Sequence, residues 1–272
     1  MLVVFTDLDG TLLEHDDYSF EAAKPSLSHL RRLQARLVLL SSKTLQEVLF
    51  WRTKIINSDP FAVENGGAVF VSEGNPSLKG KAMQTSHEYE MTEFGVPYGT
   101  LIRALRDAAR ESRCFIRGFA DMTVKEIAHC CQMDLEQARM AKDRSYDEPF
   151  QLLEGNLKNL RAAIEIRGLR LKHGGRFLHI TGRNDKADAA RALIEAYTSL
   201  DRVQSIGIGD GLNDVGFLNL VDCPVILDSP FSAEVLKRVP KGQIFPAGPV
   251  GWNKAILALA NSSPRPSRKL EP

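Results

Sequence analysis

The chain has 272 residues, of which 43% are hydrophobic and 25% are charged, and it carries 35 Lys and Arg against 34 Asp and Glu. A net charge of +1 excludes a general basic surface for nucleic acid or an anionic membrane, so an anionic ligand must be bound by a local cluster. No apolar run reaches the roughly 18–20 residues of a membrane span, and the start lacks the basic segment of a signal peptide, so we expect a cytoplasmic protein. The length predicts a core domain and a second module.

Two aspartates follow the first strand that the sequence predicts. Residues 1–6 are mostly apolar or β-branched, which is typical of a strand buried on both faces, and Asp7, Asp9 and Gly10 come directly after them. Open α/β sheets bind their ligands at the carboxyl ends of such strands. Two carboxylates this close repel each other unless a cation compensates, and Mg²⁺ prefers oxygen ligands of this kind. A turn that merely ends the strand is the alternative, and the polar clusters described below favour the metal site.

A second predicted strand ends in two serines. Leucines at helical spacing over residues 21–36, followed by the apolar residues 37–40, predict a βαβ unit whose strands open on the same side. Ser41 and Ser42 stand at this strand end and at the start of a helix over residues 44–56, where hydroxyl and N–H groups can bind phosphoryl oxygens. A helix N-cap is the alternative role, and it does not exclude a phosphate contact.

The middle of the chain has a different pattern from its two ends. The polar residues 72–80, which contain Gly and Pro and show no periodicity, predict a domain boundary. Short strands mixed with helices over residues 81–180 predict an inserted α+β domain, and the pattern of the first segment resumes after it. The predicted architecture is therefore α/β, with a Rossmann-like parallel sheet core formed by residues 1–80 and 181–272 and a cap formed by residues 81–180.

Polar residues in the last third of the chain stand where a parallel sheet would bring them to the same edge. Lys186 opens a predicted helix and could neutralise charge on a transferring group, although a lysine near a helix start is usually solvated. Asp210 and Asp214 flank Gly211-Leu212-Asn213 after an apolar strand, a spacing that can supply one metal ligand and one supporting carboxylate. A turn rich in Gly and Asn is the alternative.

Two of these segments resemble motifs of the haloacid dehalogenase superfamily of phosphohydrolases. Residues 7–11, DLDGT, match the DxDGT nucleophile motif, and residues 209–214, GDGLND, match the GDxxND motif. The resemblance implies the fold of that superfamily with an inserted cap, and a reaction through an aspartyl phosphate. It also implies a role for each matched residue: Asp7 as nucleophile and Mg²⁺ ligand, Asp9 as general acid/base and Mg²⁺ ligand through its backbone carbonyl, Lys186 as charge clamp, Ser41, Ser42, Lys186 and Asn213 at the phosphate, and Asp210 and Asp214 on the metal side.

Segments of the predicted cap indicate the substrate class. Residues 144–148, RSYDE, and residues 173–179, HGGRFLH, resemble segments of mannosyl-3-phosphoglycerate phosphatases. The chemistry suits a sugar that bears a carboxylate and a phosphate, with these groups proposed to bind it: Arg144 and Arg176 on the carboxylate, Asp147 and Glu148 on sugar hydroxyls, and Gly174 and Gly175 where the backbone comes close. A surface ion pair between Arg144 and Glu148 and a simple Gly-Gly hairpin turn are the alternatives.

The sequence therefore predicts a Mg²⁺-dependent phosphatase. The substrate implied by the resemblance is mannosyl-3-phosphoglycerate, converted to mannosylglycerate and phosphate in a pathway for a compatible solute. Glucosyl-3-phosphoglycerate or another sugar phosphate is the alternative within the same class. A phosphosugar mutase or a catalytically silent phosphosugar-binding protein is the alternative from other classes, and the presence of Asp9 argues against silence.

Overall fold

A computed structural model describes residues 1–78, 83–86, 89–173 and 177–260. Its strands in chain order are β1 (Leu2–Thr6), β2 (Arg36–Leu40), β3 (Phe61–Val63), β4 (Ala68–Ser72), β5 (Met83–Ser86), β6 (Tyr89–Glu93), β7 (Phe115–Gly118), β8 (Asp147–Glu154), β9 (Arg170–His173), β10 (Leu178–Thr181), β11 (Gln204–Gly209), β12 (Cys223–Leu227) and β13 (Gln243–Phe245). Its helices are α1 (Lys24–Arg32), α2 (Leu45–Ile55), α3 (Tyr98–Glu111), α4 (Val124–Cys131), α5 (Leu135–Lys142), α6 (Leu157–Ile166), α7 (Lys186–Thr198), α8 (Val215–Leu218), α9 (Ser232–Arg238) and α10 (Gly248–Leu259).

The core is a nine-stranded sheet with the order β13-β12-β11-β1-β2-β3-β4-β6-β5. The strands from β13 to β3 are parallel, and β4, β6 and β5 add an antiparallel edge. Alternate residues of β1 are buried in two different apolar layers, because successive side chains of a strand point to opposite faces of the sheet. Val4 packs with α1 and α10 on one face, whereas Val3 and Phe5 pack with α7 and α9 on the other. The sheet is thus covered by helices on both faces, as parallel strands require.

The cap is built on a four-stranded antiparallel sheet with the order β7-β8-β10-β9. Leu101 and Leu105 of α3 and Leu160 and Ile164 of α6 are buried against one face of this sheet. Helix α5 instead lies against α2 of the core, where the Thr44 hydroxyl donates a hydrogen bond to the carbonyl oxygen of Met140 over 2.8 Å. The cap therefore has its own apolar core and a direct contact with the core domain at the start of α2.

The sheet of the core reaches further along the chain than the predicted boundary at residue 80. Strand β6 pairs with β4 from Ala68↔Glu93 to Ser72↔Tyr89, and β5 pairs with β6. These edge strands lack the apolar run that marks a buried strand, which is why the sequence did not reveal them. In the cap, β9 and β10 pair antiparallel, from Leu178↔His173 to Thr181↔Arg170. None of the described helices is long and apolar enough to cross a bilayer.

Candidate active site

The carboxyl ends of β1 and β11 bring the two acidic segments together. These strands are parallel neighbours, with Thr6 opposite Ile208, and the N–H of Asp7 donates to the carbonyl oxygen of Ile208 over 3.0 Å. Asp210 follows β11 directly, so its side chain enters the same edge as that of Asp7. The carboxylates of Asp7, Asp210 and Asp214 each have an oxygen within 4.8 Å of the others. The predicted convergence of these segments is present in the structure.

A buried lysine joins two of these carboxylates. The Nζ of Lys186 lies 2.8 Å from Oδ2 of Asp7 and 2.7 Å from Oδ1 of Asp214, and its side chain is fully buried. Asp185 caps helix α7 by accepting hydrogen bonds from the N–H groups of Ala187 and Asp188, which fixes where Lys186 begins the helix. Burial alone would lower the pKa of Lys186, but the two carboxylates outweigh it and raise the pKa, so the side chain stays charged.

The other oxygen of Asp214 organises the loop that carries Asp210. It accepts hydrogen bonds from the N–H groups of Asp210 and Gly211 over 3.0 and 2.9 Å. Asp210 in turn accepts a hydrogen bond from the Thr11 hydroxyl over 3.0 Å. Gly10 has φ +69°, and a Cβ at this position would lie 2.7 Å from Oδ2 of Asp210. The glycine of the DLDGT segment is therefore required both by its backbone conformation and by the approach of Asp210.

The donor set of this centre fits a hard divalent cation. Burial raises the pKa of Asp7 well above its usual range, and the nearby charges of Asp214 and Asp210 add to this rise, although Lys186 opposes it. Burial and the charge of Asp214 raise the pKa of Asp210 to about 6. One lysine does not balance three carboxylates, so the chain alone leaves excess negative charge on oxygen ligands of the kind that Mg²⁺ prefers.

The acid/base candidate Asp9 contacts a lysine that the sequence analysis did not assign to the site. The Nζ of Lys43 lies 3.0 Å from Oδ1 of Asp9 and 3.6 Å from Oε1 of Glu47. It also lies 4.6 Å from the ring centroid of Tyr18. A lysine in a loop is ordinarily expected to be solvated. The one feature of the sequence that pointed to a site role for Lys43 was its position directly after two predicted site serines at a strand end.

The predicted phosphate-binding residues lie around the same strand ends. Ser41 is buried, and its hydroxyl oxygen accepts the N–H of Lys43 over 3.1 Å, which is a turn contact rather than a helix cap. Ser42 is partly buried. Asn213 is exposed, and its amide donates to Oδ1 of Asn65 over 3.1 Å. Asn65 has φ +56°, a conformation that Asn tolerates in turns.

Two of the predicted cap residues, Arg144 and Asp147, contact each other. Nη1 of Arg144 lies 3.0 Å from Oδ2 of Asp147, and Nδ1 of His179 lies 2.9 Å from the same oxygen. Glu148 turns the other way and accepts a hydrogen bond from the Tyr98 hydroxyl over 2.6 Å. Asp147 and Glu148 are both 1% exposed, so each is satisfied within the protein. The remaining predicted residues, Gly174, Gly175 and Arg176, lie outside the described residues.

Glu64 holds the cap against the core. It follows β3, is 1% exposed, and accepts the N–H groups of Ser145 and Tyr146 over 2.9 and 2.8 Å. Burial raises the pKa of Glu64 to about 7. Nη1 of Arg144 also lies 3.5 Å from the carbonyl oxygen of Ser42. A cavity of about 520 Å³ opens beside this junction, with walls that include Leu45, Val63, Phe70, Tyr98, Arg144 and Tyr146.

Comparisons with known proteins agree with this geometry. No family model matches the chain. A glucosyl-3-phosphoglycerate/mannosyl-3-phosphoglycerate phosphatase of Methanococcoides burtonii is 36% identical over 264 residues, covering 94% of this chain and 96% of the relative. A protein of the same name from Persephonella marina is 34% identical over 273 residues, covering 97% and 99%. The mannosyl-3-phosphoglycerate phosphatase of Pyrococcus furiosus is 32% identical over 222 residues, covering 81% and 88%.

Solved structures share the fold at low sequence identity. A sugar phosphatase of subclass IIB of the haloacid dehalogenase superfamily superposes with a TM-score of 0.65 at 12% identity, covering 96% of this chain and 99% of that one. The sucrose-phosphatase of Synechocystis superposes with a TM-score of 0.60 at 13% identity, covering 94% and 97%.

A mostly parallel sheet with an antiparallel cap is the fold that the chain shares with a sugar phosphatase of the haloacid dehalogenase superfamily, and three clustered aspartates and a buried lysine lie at its carboxyl edge. Within that class, identity above 30% over most of the chain decides the membership. The chain belongs to the family of glucosyl-3-phosphoglycerate/mannosyl-3-phosphoglycerate phosphatases.

Proposed function

We propose that this phosphatase hydrolyses mannosyl-3-phosphoglycerate to mannosylglycerate and phosphate, and that glucosyl-3-phosphoglycerate is its second substrate. The observation that carries the proposal is the identity of 36% and 34% to relatives named for both substrates, over nearly the whole chain including the cap. The glucosyl compound is included because both of these relatives carry its name, whereas the relative with 32% identity is named for the mannosyl compound alone.

In the proposed catalytic cycle, Asp7 is the nucleophile and Asp9 transfers the protons. Asp7 attacks the phosphorus of the ester, an oxygen–phosphorus bond forms on its carboxylate, and the bond to the glycerate oxygen breaks. Asp9 donates a proton to that leaving oxygen. Asp9 then takes a proton from a water molecule as the water attacks the phosphorus, the bond to Asp7 breaks, and inorganic phosphate leaves. The ammonium of Lys186, which lies 2.8 Å from Asp7 in the structure, offsets the approach of one anion to another.

We assign the cation site to the carboxylates of Asp7 and Asp210 and the backbone carbonyl of Asp9. Asp214 is fully buried and its two oxygens accept three hydrogen bonds, one from Lys186 and two from backbone N–H groups, so we assign Asp214 the role of orienting the site. Bound Mg²⁺ would stabilise the negative charge of the transferring phosphoryl group. Ser41, Ser42 and Asn213 are proposed to bind the phosphoryl oxygens.

Recognition of the sugar and the carboxylate is assigned to the cap. Among the described residues the proposed contacts are Arg144, Asp147 and Glu148. Gly174, Gly175 and Arg176, which lie outside the described residues, are also proposed to contact the substrate. Because Arg144 is paired with Asp147, a substrate carboxylate has to share the guanidinium with that partner. The planar guanidinium has five N–H donors, which is enough for both.

The test is phosphate release from a panel of phosphomonoesters, with Mg²⁺ and with EDTA. We expect the two glycosyl-3-phosphoglycerates to give the highest kcat/KM, and turnover to require Mg²⁺. Release into buffer without a sugar acceptor also separates a hydrolase from a mutase. A panel in which another sugar phosphate is preferred over both glycosyl-3-phosphoglycerates overturns the proposed substrate, and transfer to a sugar without phosphate release overturns the reaction type.

A further inference from the structure

We propose that Lys43 is a positioning residue for proton transfer: it fixes the carboxylate of Asp9 so that Oδ2 faces the leaving oxygen. The inference rests on the proposed function, because it takes Asp9 as the general acid. It goes beyond that function in assigning the orientation of Asp9 to a lysine outside the aspartate motifs. The observation that carries it is the 3.0 Å contact between Nζ of Lys43 and Oδ1 of Asp9.

The ammonium of Lys43 is held on three sides. Asp9 and Glu47 provide carboxylate oxygens at 3.0 and 3.6 Å, and the ring of Tyr18 lies 4.6 Å away on a further side. The Lys43 side chain is 8% exposed, and a lysine this buried requires such partners. Glu47 is itself fixed, because its other carboxylate oxygen accepts the N–H of Thr44 over 2.9 Å. The lysine therefore has one position available to it.

The backbone of Lys43 is fixed as firmly as its side chain. Its N–H donates to the Ser41 hydroxyl over 3.1 Å, and its carbonyl oxygen accepts the N–H of Glu64 over 2.9 Å. Helix α5 of the cap covers the group, leaving a space of only about 20 Å³ between Lys43 and residues that include Met133 and Met140. A space of this size holds about one water molecule, and with the Lys43 side chain only 8% exposed little solvent reaches the ammonium.

The consequence for Asp9 follows from the two oxygens of a carboxyl group. Oδ1 is buried and lies in ion contact with Lys43, so Oδ2 is the oxygen left to carry the transferable proton. Without Lys43 the Asp9 side chain, which is 29% exposed, is free to rotate. A displacement of about 1 Å in a catalytic group costs about 100-fold in rate, so loss of this contact affects the step that needs the acid. Departure of an alkoxide needs a general acid, whereas departure of 4-nitrophenolate hardly does.

The experiment compares kcat/KM of Lys43→Met for 4-nitrophenyl phosphate, glycerol 3-phosphate and 3-phosphoglycerate, because kcat/KM reports the steps up to departure of the alcohol. We expect a loss of about 100-fold for both alkyl esters and of less than about 3-fold for the aryl ester. Asp9→Asn should give the same pattern, and the double variant should lose no more than Asp9→Asn alone. Lys54→Met, which removes an exposed lysine from the same helix α2, is the matched control and should equal the wild type.

Three outcomes overturn the inference. Equal losses for aryl and alkyl esters show that Lys43 does not act through the acid. A loss confined to 3-phosphoglycerate shows that Lys43 binds the substrate carboxylate, and a raised inhibition constant for inorganic phosphate shows that it binds the phosphoryl group. If Lys43→Met does not fold, Lys43→Gln removes the charge but keeps an N–H donor, so it should show the same preferential loss for the alkyl esters at a smaller size. If Asp9→Asn lowers kcat/KM equally for the aryl and the alkyl esters, the proposed role of Asp9 fails. If the wild type hydrolyses these esters but not the glycosyl-3-phosphoglycerates, only the proposed substrate is rejected.

Discussion

Replacing Lys186 by Met tests whether the acidic centre depends on this cation for stability as well as for turnover. The side chain is fully buried, and its Nζ lies 2.8 Å from Asp7 and 2.7 Å from Asp214. Breaking a buried ion pair by removing one partner costs about 3–5 kcal/mol, because the remaining charge is left uncompensated. Two carboxylates lose their partner here, so we expect the upper end, about 5 kcal/mol of the free energy of unfolding.

The assay is urea unfolding in EDTA at pH 8, so that no bound cation replaces the lost charge. A loss of about 5 kcal/mol corresponds to a fall of about 10 °C in Tm for a chain of this size. Phosphatase activity should be lost in the same variant. Lys54→Met controls for the removal of a lysine, since Lys54 is exposed on helix α2.

The double variant Lys186→Met with Asp214→Asn refines the test. It removes one of the two carboxylates that Lys186→Met leaves unpaired, so we expect it to be more stable than the sum of the single effects predicts, by about 0.5–3 kcal/mol. Unchanged stability in Lys186→Met would refute the reasoning, because it would mean that Asp7 and Asp214 are compensated by something other than this lysine.

The remaining predictions concern the junction, the turn and the nucleophile. The pKa of Glu64 rises from 4.5 to about 7 because the side chain is buried. Its contribution to stability is therefore present below about pH 4.5 and is lost as the pH rises to 7. In urea unfolding, the free energy of unfolding of the wild type should fall by about 3 kcal/mol between pH 5 and pH 8, and Glu64→Gln should lack this fall. Gly10→Ala should raise the Mg²⁺ requirement at least about 10-fold by pushing Asp210 away, whereas Gly74→Ala, with φ +82° and no described heavy atom within 4 Å, should leave it unchanged. Asp7→Asn should abolish turnover with an unchanged circular dichroism spectrum, and substantial residual activity would remove Asp7 from its assigned role.

The catalytic edge of the sheet was predictable because its signals are local. An apolar run that stops at Asp or Gly marks a strand end, and the parallel arrangement of such strands brings their ends to one edge. The structure pairs β1 with β11 and thereby places Asp7 beside Asp210. The edge strands β5 and β6 were not predictable in this way, because they owe their conformation to pairing with β4 rather than to an apolar pattern.

Lys43 and Asn65 show the limit of prediction from spacing. A lysine in a polar segment is expected to be solvated, and an Asn before two glycines is expected to form a turn. The expectation for Asn65 is met, with φ +56°, whereas Lys43 is only 8% exposed because it has a partner. The partner of Lys43 is Asp9, and that of Asn65 is Asn213, which is 148 residues away in the sequence. Contacts of this kind exist only once the sheet has formed.

The adjacent acids Asp147 and Glu148 illustrate how a strand separates residues that the sequence places together. Both were proposed to bind sugar hydroxyls, and the alternative paired Arg144 with Glu148. In strand β8 successive side chains point to opposite faces, so Asp147 meets Arg144 and His179 whereas Glu148 meets the Tyr98 hydroxyl at the start of α3. A sugar bound between cap and core can therefore reach Asp147 by competing for the Arg144 ion pair. Tyr98 lines the same cavity as Arg144, so a sugar hydroxyl can reach Glu148 by competing with the Tyr98 hydroxyl.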